Sequence, residues 1–175
     1  GTFTGGQSIT GGSYSVQDAT TGRTDGTITL AGGSVHVVLY PLSDSSFYVI
    51  ETDATQVSSG AAIVSTGGNG SNSTLRGNYV LNLTGVVGST PEDVTGKLNA
   101  NGGGVFTGTL DITNGGNATA LQSSPYSISA NSTATLKSGF ANLGSVAFKL
   151  YLVDGTQVLF LESDNKGVLT GTMQI

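Results

Sequence analysis

Val35-His36-Val37-Val38-Leu39-Tyr40-Pro41-Leu42 and Val146-Ala147-Phe148-Lys149-Leu150-Tyr151-Leu152-Val153 align without a gap, 111 positions apart. The same spacing carries Phe47-Tyr48-Val49-Ile50-Glu51-Thr52-Asp53 onto Val158-Leu159-Phe160-Leu161-Glu162-Ser163-Asp164, and Val57-Ser58-Ser59-Gly60 onto Val168-Leu169-Thr170-Gly171. Further upstream, Phe3-Thr4-Gly5 corresponds to Phe106-Thr107-Gly108 and Tyr14-Ser15-Val16 to Tyr126-Ser127-Ile128, small insertions changing the offset. The chain is an internal duplication, and a repeat of this kind constrains every later reading of the fold.

Within the repeat, Val35, Val37 and Leu39 match Val146, Phe148 and Leu150, whereas the alternate positions change from His36 to Ala147 and from Val38 to Lys149. An apolar period of two is the mark of a strand with one face on a core. Extended along the chain, the pattern predicts eight strands in the second copy, near 78–85, 93–100, 104–113, 124–129, 132–138, 144–153, 157–163 and 168–175. The first copy gives six, near 2–9, 12–17, 26–31, 34–41, 46–52 and 57–65. Asn101-Gly102-Gly103-Gly104, Asp154-Gly155 and Asp25-Gly26 read as tight hairpin turns. The expected fold class is all-β, with antiparallel meander strands forming β-barrel or β-sandwich units from an internal duplication. Closure into a barrel would remove the sheet edges.

The copies differ in completeness. Gly77–Thr84 and Val94–Ala100 have no counterpart before Phe3, so the first copy begins about two strands late. This predicts an incomplete repeat over residues 1–65, a Gly/Ser/Asn-rich linker over 66–76, and a complete repeat over 77–175.

Composition bounds the function classes. Charged residues make up 10% of the 175, glycine numbers 28, and hydrophobic residues reach 37%. That suits short strands joined by many turns, and is too apolar for a disordered chain. Eleven acidic against six basic residues give a net charge of −5, which provides no electrostatic footprint for nucleic acid, and no apolar run is long enough for a membrane helix. The absence of cysteine excludes disulfides and thiolate chemistry and suits an exposed, oxidising setting. The chain reads as strand from Thr2 onward, so any export leader is expected to have been removed, and the expected location is extracellular or at the cell surface.

The chemistry-bearing residues are few. His36, the one histidine, becomes Ala147 in the other copy and reads as a solvent-facing strand residue rather than a catalytic base or zinc ligand. Glu51 and Asp53 recur as Glu162 and Asp164, two carboxylates on one side of a strand end. Such pairs can hold calcium or act as acid and base. The plainer reading is that they accept amide hydrogen bonds from a turn, and neither copy has the spacing of a calcium loop. The strand at 46–52 is apolar on both faces: Tyr48 and Ile50 pair with Leu159 and Leu161 opposite the core-facing set. Together with Thr2, Phe3 and Ile9, these residues are the candidate subunit or inter-repeat interface. No catalytic residue, metal site or cofactor is expected.

Gly77-Asn-Tyr-Val-Leu-Asn-Leu-Thr-Gly85, Gly96-Lys-Leu-Asn-Ala-Asn-Gly-Gly-Gly104, Gly108-Thr-Leu-Asp-Ile-Thr-Asn-Gly-Gly116 and the block from Tyr151 to Asp164 resemble the tandem β-repeats of large, mostly uncharacterised secreted or surface proteins of environmental bacteria. The resemblance covers the chain apart from the linker. It implies an extracellular β-repeat and carries over no active site. The expected function is therefore a non-catalytic structural or adhesive subunit, filament-forming by strand pairing between subunits, whose partners are copies of itself or other surface proteins. The alternative is a lipocalin-like or carbohydrate-binding barrel for a small ligand, which would lack the usual tryptophan platform.

Overall fold

A computed structural model describes residues 6–55, 58–67, 69–113, 119–131, 133–140 and 146–175. Among these the chain divides into two compact units, one ending at Val64 and one beginning at Ser65. Both are antiparallel β-meanders.

The first unit is a five-stranded sheet in sequence order, β1 (Ile9–Asp18), β2 (Arg23–Leu30), β3 (Gly33–Ser43), β4 (Ser46–Glu51) and β5 (Ser59–Ile63). Residues 6–8 are not in a strand, and the rest of the strand expected over 2–9 lies outside the described residues except for Ile9, which opens β1. The turn expected at Asp25-Gly26 is corrected, because both residues sit inside β2, paired with Val38 and Val37. The β1–β2 reversal falls instead at 19–22. There Asp18 Oδ1 accepts from the Thr20 amide at 2.8 Å, Asp18 Oδ2 accepts from the Thr21 hydroxyl at 2.8 Å, and Gly22 takes φ +71°. An Asx-type turn followed by a left-handed glycine outcompetes the Asp-Gly pair as a reversal point.

The second unit holds β6 (Arg76–Val87), β7 (Thr90–Asn101), β8 (Val105–Ile112), β9 (Thr119–Pro125), β10 (Ser127–Ile128), β11 (Thr133–Phe140), β12 (Val146–Leu152), β13 (Gln157–Glu162) and β14 (Gly167–Gln174). The ladder order is β10-β11-β12-β13-β14-β6-β7-β8-β9. The last strand thus lies beside the first, with Gly167 opposite Val87 and Gln174 opposite Val80. The two ends of the order, β9 and β10, are separated in the chain by Tyr126 alone, and β9 also runs alongside β11. The sheet therefore curls around one core in a barrel-like wall, as meander strands do when they dispose of their edges. Inward positions alternate cleanly: Tyr79, Leu81 and Leu83 on β6, Val146, Phe148, Leu150 and Leu152 on β12, and Val158 and Phe160 on β13 are all at most 2% exposed. The turn at Asn101–Gly104 is as read from the sequence, with Gly102 and Gly104 at positive φ and Asn101 Oδ1 accepting from the amides of Gly103 and Val105. The Asp154-Gly155 turn is also as read, Asp154 Oδ1 accepting from the amides of Thr156 and Gln157.

Residues in the stretch that composition marks as a linker are bound to the second unit. The Thr66 amide donates to the Val153 carbonyl at 2.8 Å. After a 3₁₀ turn at Asn72–Thr74, Leu75 is fully buried in the core. Tyr126 stacks on Phe106 with centroids 4.3 Å apart and donates its hydroxyl to the Leu75 carbonyl at 3.0 Å, and Asn72 Oδ1 accepts from the Ile128 amide. Leu75 and these hydrogen bonds anchor the segment to the second unit's core.

Candidate functional site

The duplicated aspartates adopt the same geometry in both units. Asp164 Oδ2 accepts from the Ala147 amide at 2.8 Å, and Asp53 Oδ2 accepts from the amide of His36, the residue equivalent to Ala147, also at 2.8 Å. Each aspartate follows the end of one strand and pins it to the backbone of the strand before. Their partners differ. Glu162 points inward at the end of β13, is 2% exposed, and accepts from the Leu169 amide at 2.9 Å through Oε2. Its Oε1 is buried with no donor, and the carboxyl it faces belongs to Asp164. Burial, together with Asp164, pushes Glu162 from its ordinary 4.5 up to about 7. Asp164, on which burial alone acts upward, is held below its ordinary value by the Ala147 and Lys166 amides. Glu51 instead accepts from the Ser58 hydroxyl and stays partly exposed.

Around Asp53 lies an open polar groove of about 680 Å³ with Ser13, Arg23, Asp25, Thr27 and His36 in its lining. His36 Nδ1 is 2.7 Å from Asp53 Oδ1, and the His36 amide and ring hold the Asp53 carboxyl below its ordinary range. Thr27 is directly across from His36 and Ser13 directly across from Thr27, but no hydroxyl is hydrogen-bonded to the imidazole among the described residues. A base oriented by a carboxylate is present without a nucleophile in contact, and general-base activation of a hydroxyl begins with that contact. Among the described residues no three His, Asp or Glu side chains come together at metal-binding spacing.

The two faces of the five-stranded sheet follow from its register. One carries Ile9, Tyr14, Val16, Ile28, Val35, Val37, Leu39, Phe47 and Val49, with Glu51 as its one charge within the ladders. These positions align with the core-facing set of the second unit, yet Tyr14 is 80% exposed and Ile9 70%. The other face carries the polar groove and, toward β5, Tyr48 and Ile50, both exposed. Their equivalents Leu159 and Leu161 are half-buried on the outer side of β13. Thr2 and Phe3 lie outside the described residues. The five interface candidates that are described thus fall on more than one surface, with Ile9 on one face of the first sheet and Tyr48 and Ile50 on the other.

Two residues missed from the sequence stand out. Gly171 on β14 is so close to β6 that an added Cβ would be 2.0 Å from the Asn82 carbonyl oxygen, while at its counterpart Gly60 on β5 an added Cβ meets nothing within 4 Å. Tyr14, equivalent to the stacked and hydrogen-bonded Tyr126, projects into solvent. The repeat alignment pairs both residues and so holds the signal. What differs is the surroundings: among the described residues the first unit has no counterpart of β6, β7 and β8.

The chain matches no family model and no curated protein. No helix among the described residues is long and apolar enough to cross a membrane.

Proposed function

We propose that this chain is a non-catalytic structural or adhesive subunit of the cell exterior that assembles by strand pairing between subunits. The observation that carries this reading is the contrast at the sheet edges. Among the described residues β14 is paired on both sides, by β13 and β6, whereas its counterpart β5 is paired by β4 alone, and β1 by β2 alone. An unpaired edge of backbone donors and acceptors is a template for another strand. Head-to-tail pairing of such edges does not close and propagates as a fibre. The turn-rich, weakly charged, cysteine-free composition supports an exterior location, with copies of the chain or other surface proteins as partners. Against the ligand-barrel alternative stands the second unit's interior, filled by large side chains including Tyr79, Phe106 and Phe148.

Gly60 supplies the test. A strand that pairs with β5 as β6 pairs with β14 would press its carbonyl against Cα of residue 60, so Gly60→Ala should leave the isolated chain folded and abolish fibres or large oligomers in light scattering and negative-stain microscopy. A wild-type chain that is monodisperse at all concentrations, or assemblies indifferent to Gly60→Ala and to prolines scanned along Ser59–Ile63, would overturn the reading.

A further inference from the structure

The uncovered apolar face of the first unit points to a contact distinct from edge pairing. A sheet with one apolar face is stable in water when that face is buried against a second layer. In the second unit the equivalent positions are dry, because the opposite wall of the same barrel covers them: Val146, Phe148 and Leu150 are at most 1% exposed. In the first unit the described residues include no such wall, and Val37 and Val38 are the only large side chains that the flat sheet buries.

We propose that a second copy of this chain covers that face, the two five-stranded sheets stacking face to face about a two-fold axis. Three observations favour a second copy as occupant. The first is area. Five strands ~4.8 Å apart and ~8 residues long make one sheet face of roughly 600 Å². Two such faces bury about 1,200 Å² in total, the lower bound of the range for stable specific interfaces. The second is charge. The net charge of −5 opposes self-association in general, but within the ladders this face carries only Glu51, at one end and already hydrogen-bonded by Ser58. Arg23, Asp25 and His36 lie on the opposite face, so the two apolar surfaces meet without charge burial. The third is shape. Gly12 and Gly26 open an apolar furrow of about 450 Å³ between Ile9, Ile28, Val37, Leu39 and Val49, and Tyr14, directly opposite Gly26, stands beside it. A knob and a hole adjacent on one surface are self-complementary under a two-fold rotation, so each Tyr14 seats in the other copy's furrow. An exposed tyrosine entering an apolar pocket is also the usual energetic anchor of an interface.

The contact uses a face, edge pairing uses β1 and β5, and either can fail without the other. The experiment is analytical ultracentrifugation of the full chain from about 1 to 500 μM, with Tyr14→Asp and Gly60→Ala variants and Ser15→Lys as a control on the opposite face. Circular dichroism checks that each variant folds. Tyr14 is exposed in the monomer, so an aspartate there should leave the fold intact. In Gly60→Ala, where edge pairing is blocked, the expected result is a reversible dimer of twice 17.5 kDa that adding Tyr14→Asp weakens at least tenfold and adding Ser15→Lys leaves unchanged. A chain that stays monomeric throughout would assign the face to another kind of partner and overturn the proposal. So would a dimer lost in Gly60→Ala but kept in Tyr14→Asp, which would show association by edges alone.

Discussion

Leu39 and Leu150 occupy the same place in two copies of one repeat, yet Leu150 is fully buried and Leu39 is only half-buried. The local sequence around them is nearly equivalent, and both strands form with the same inward alternation. What separates them, among the described residues, is that the five-stranded sheet includes no counterpart of β6, β7 and β8. With β6, β7 and β8 present, the meander curls until β14 meets β6 and the apolar faces enclose one another. The five described strands of the first unit lie flat and leave the same face open. Strand formation is thus a local property of this repeat, while core formation depends on strand number: a sheet face becomes interior only when enough neighbours exist to wrap it.

The sharpest way to break this comparison is to truncate the two leucines. Leu150→Ala leaves a cavity in a closed core and should cost about 3 kcal/mol or more, as large-to-small core changes do. Leu39→Ala removes a half-covered side chain and should cost about 1 kcal/mol or less. Amide hydrogen exchange reads the units separately, and protection should collapse across β12–β14 in the first variant while barely changing across β2–β4 in the second. Equal losses would mean that the first sheet is covered in solution. A Leu39→Ala effect that grows with protein concentration would locate that cover in a neighbouring copy.

A second difference is electrostatic. Glu162 is enclosed where Glu51 is open, and burial raises its proton affinity to a midpoint of about 7. The unfolded chain releases this proton near 4.5 and the folded chain near 7, so between those values folding takes up a proton and stability falls as pH rises. The loss amounts to about 3 kcal/mol across that window and is complete above it. Asp164 acts oppositely at lower pH: its depressed affinity gives stability that is present above its unfolded value and lost as pH falls through the folded one. The second unit should therefore be most stable near pH 4.5–5. Glu162→Gln should flatten the decline toward pH 8 in thermal or denaturant melts followed at several pH values. A slope that survives the substitution would place the buried proton elsewhere.

The period-two pattern was legible because it is local. All eight strands expected in the second copy are present, the one near 124–129 interrupted at Tyr126 and extended upstream to Thr119. Turns were legible where glycine carries the reversal, as at Asn101–Gly104, and not where a side chain builds it, as Asp18 does ahead of Gly22. Leu75 was read as linker because Gly, Ser and Asn surround it, although one leucine in such a run can anchor the whole segment in a core. The duplicated carboxylates were read as acceptors of turn amides; Asp164 takes one such amide, from Lys166, but the amides that Asp53 and Asp164 share by position, His36 and Ala147, lie on the neighbouring strand. The burial of Glu162 was not legible, since it depends on the tertiary closure that Glu51 lacks. Tyr14 escaped for the same reason. Its alignment with Tyr126 suggests a core residue, yet among the described residues nothing covers it.

The smallest expected difference lies in the aspartates, whose geometry is the same in both units. Asp53 and Asp164 each accept one amide from the neighbouring strand at 2.8 Å. Asp164 also accepts from the Lys166 amide at 2.9 Å, and it is partly buried beside Glu162. Asp164→Ala should therefore cost about 1–2 kcal/mol, the usual loss when an amide keeps its place without its acceptor. Part of that should be returned at high pH, because Glu162 loses the carboxylate that opposes its ionisation. Asp53→Ala should cost less, since water can reach the His36 amide, and its effect should be free of any such pH dependence. Denaturant melts of both variants at pH 5 and pH 8 measure the four values. If the two substitutions prove equivalent at both pH values, the enclosure of Glu162 does not reach Asp164, and the aspartates serve only to fasten one strand to the next.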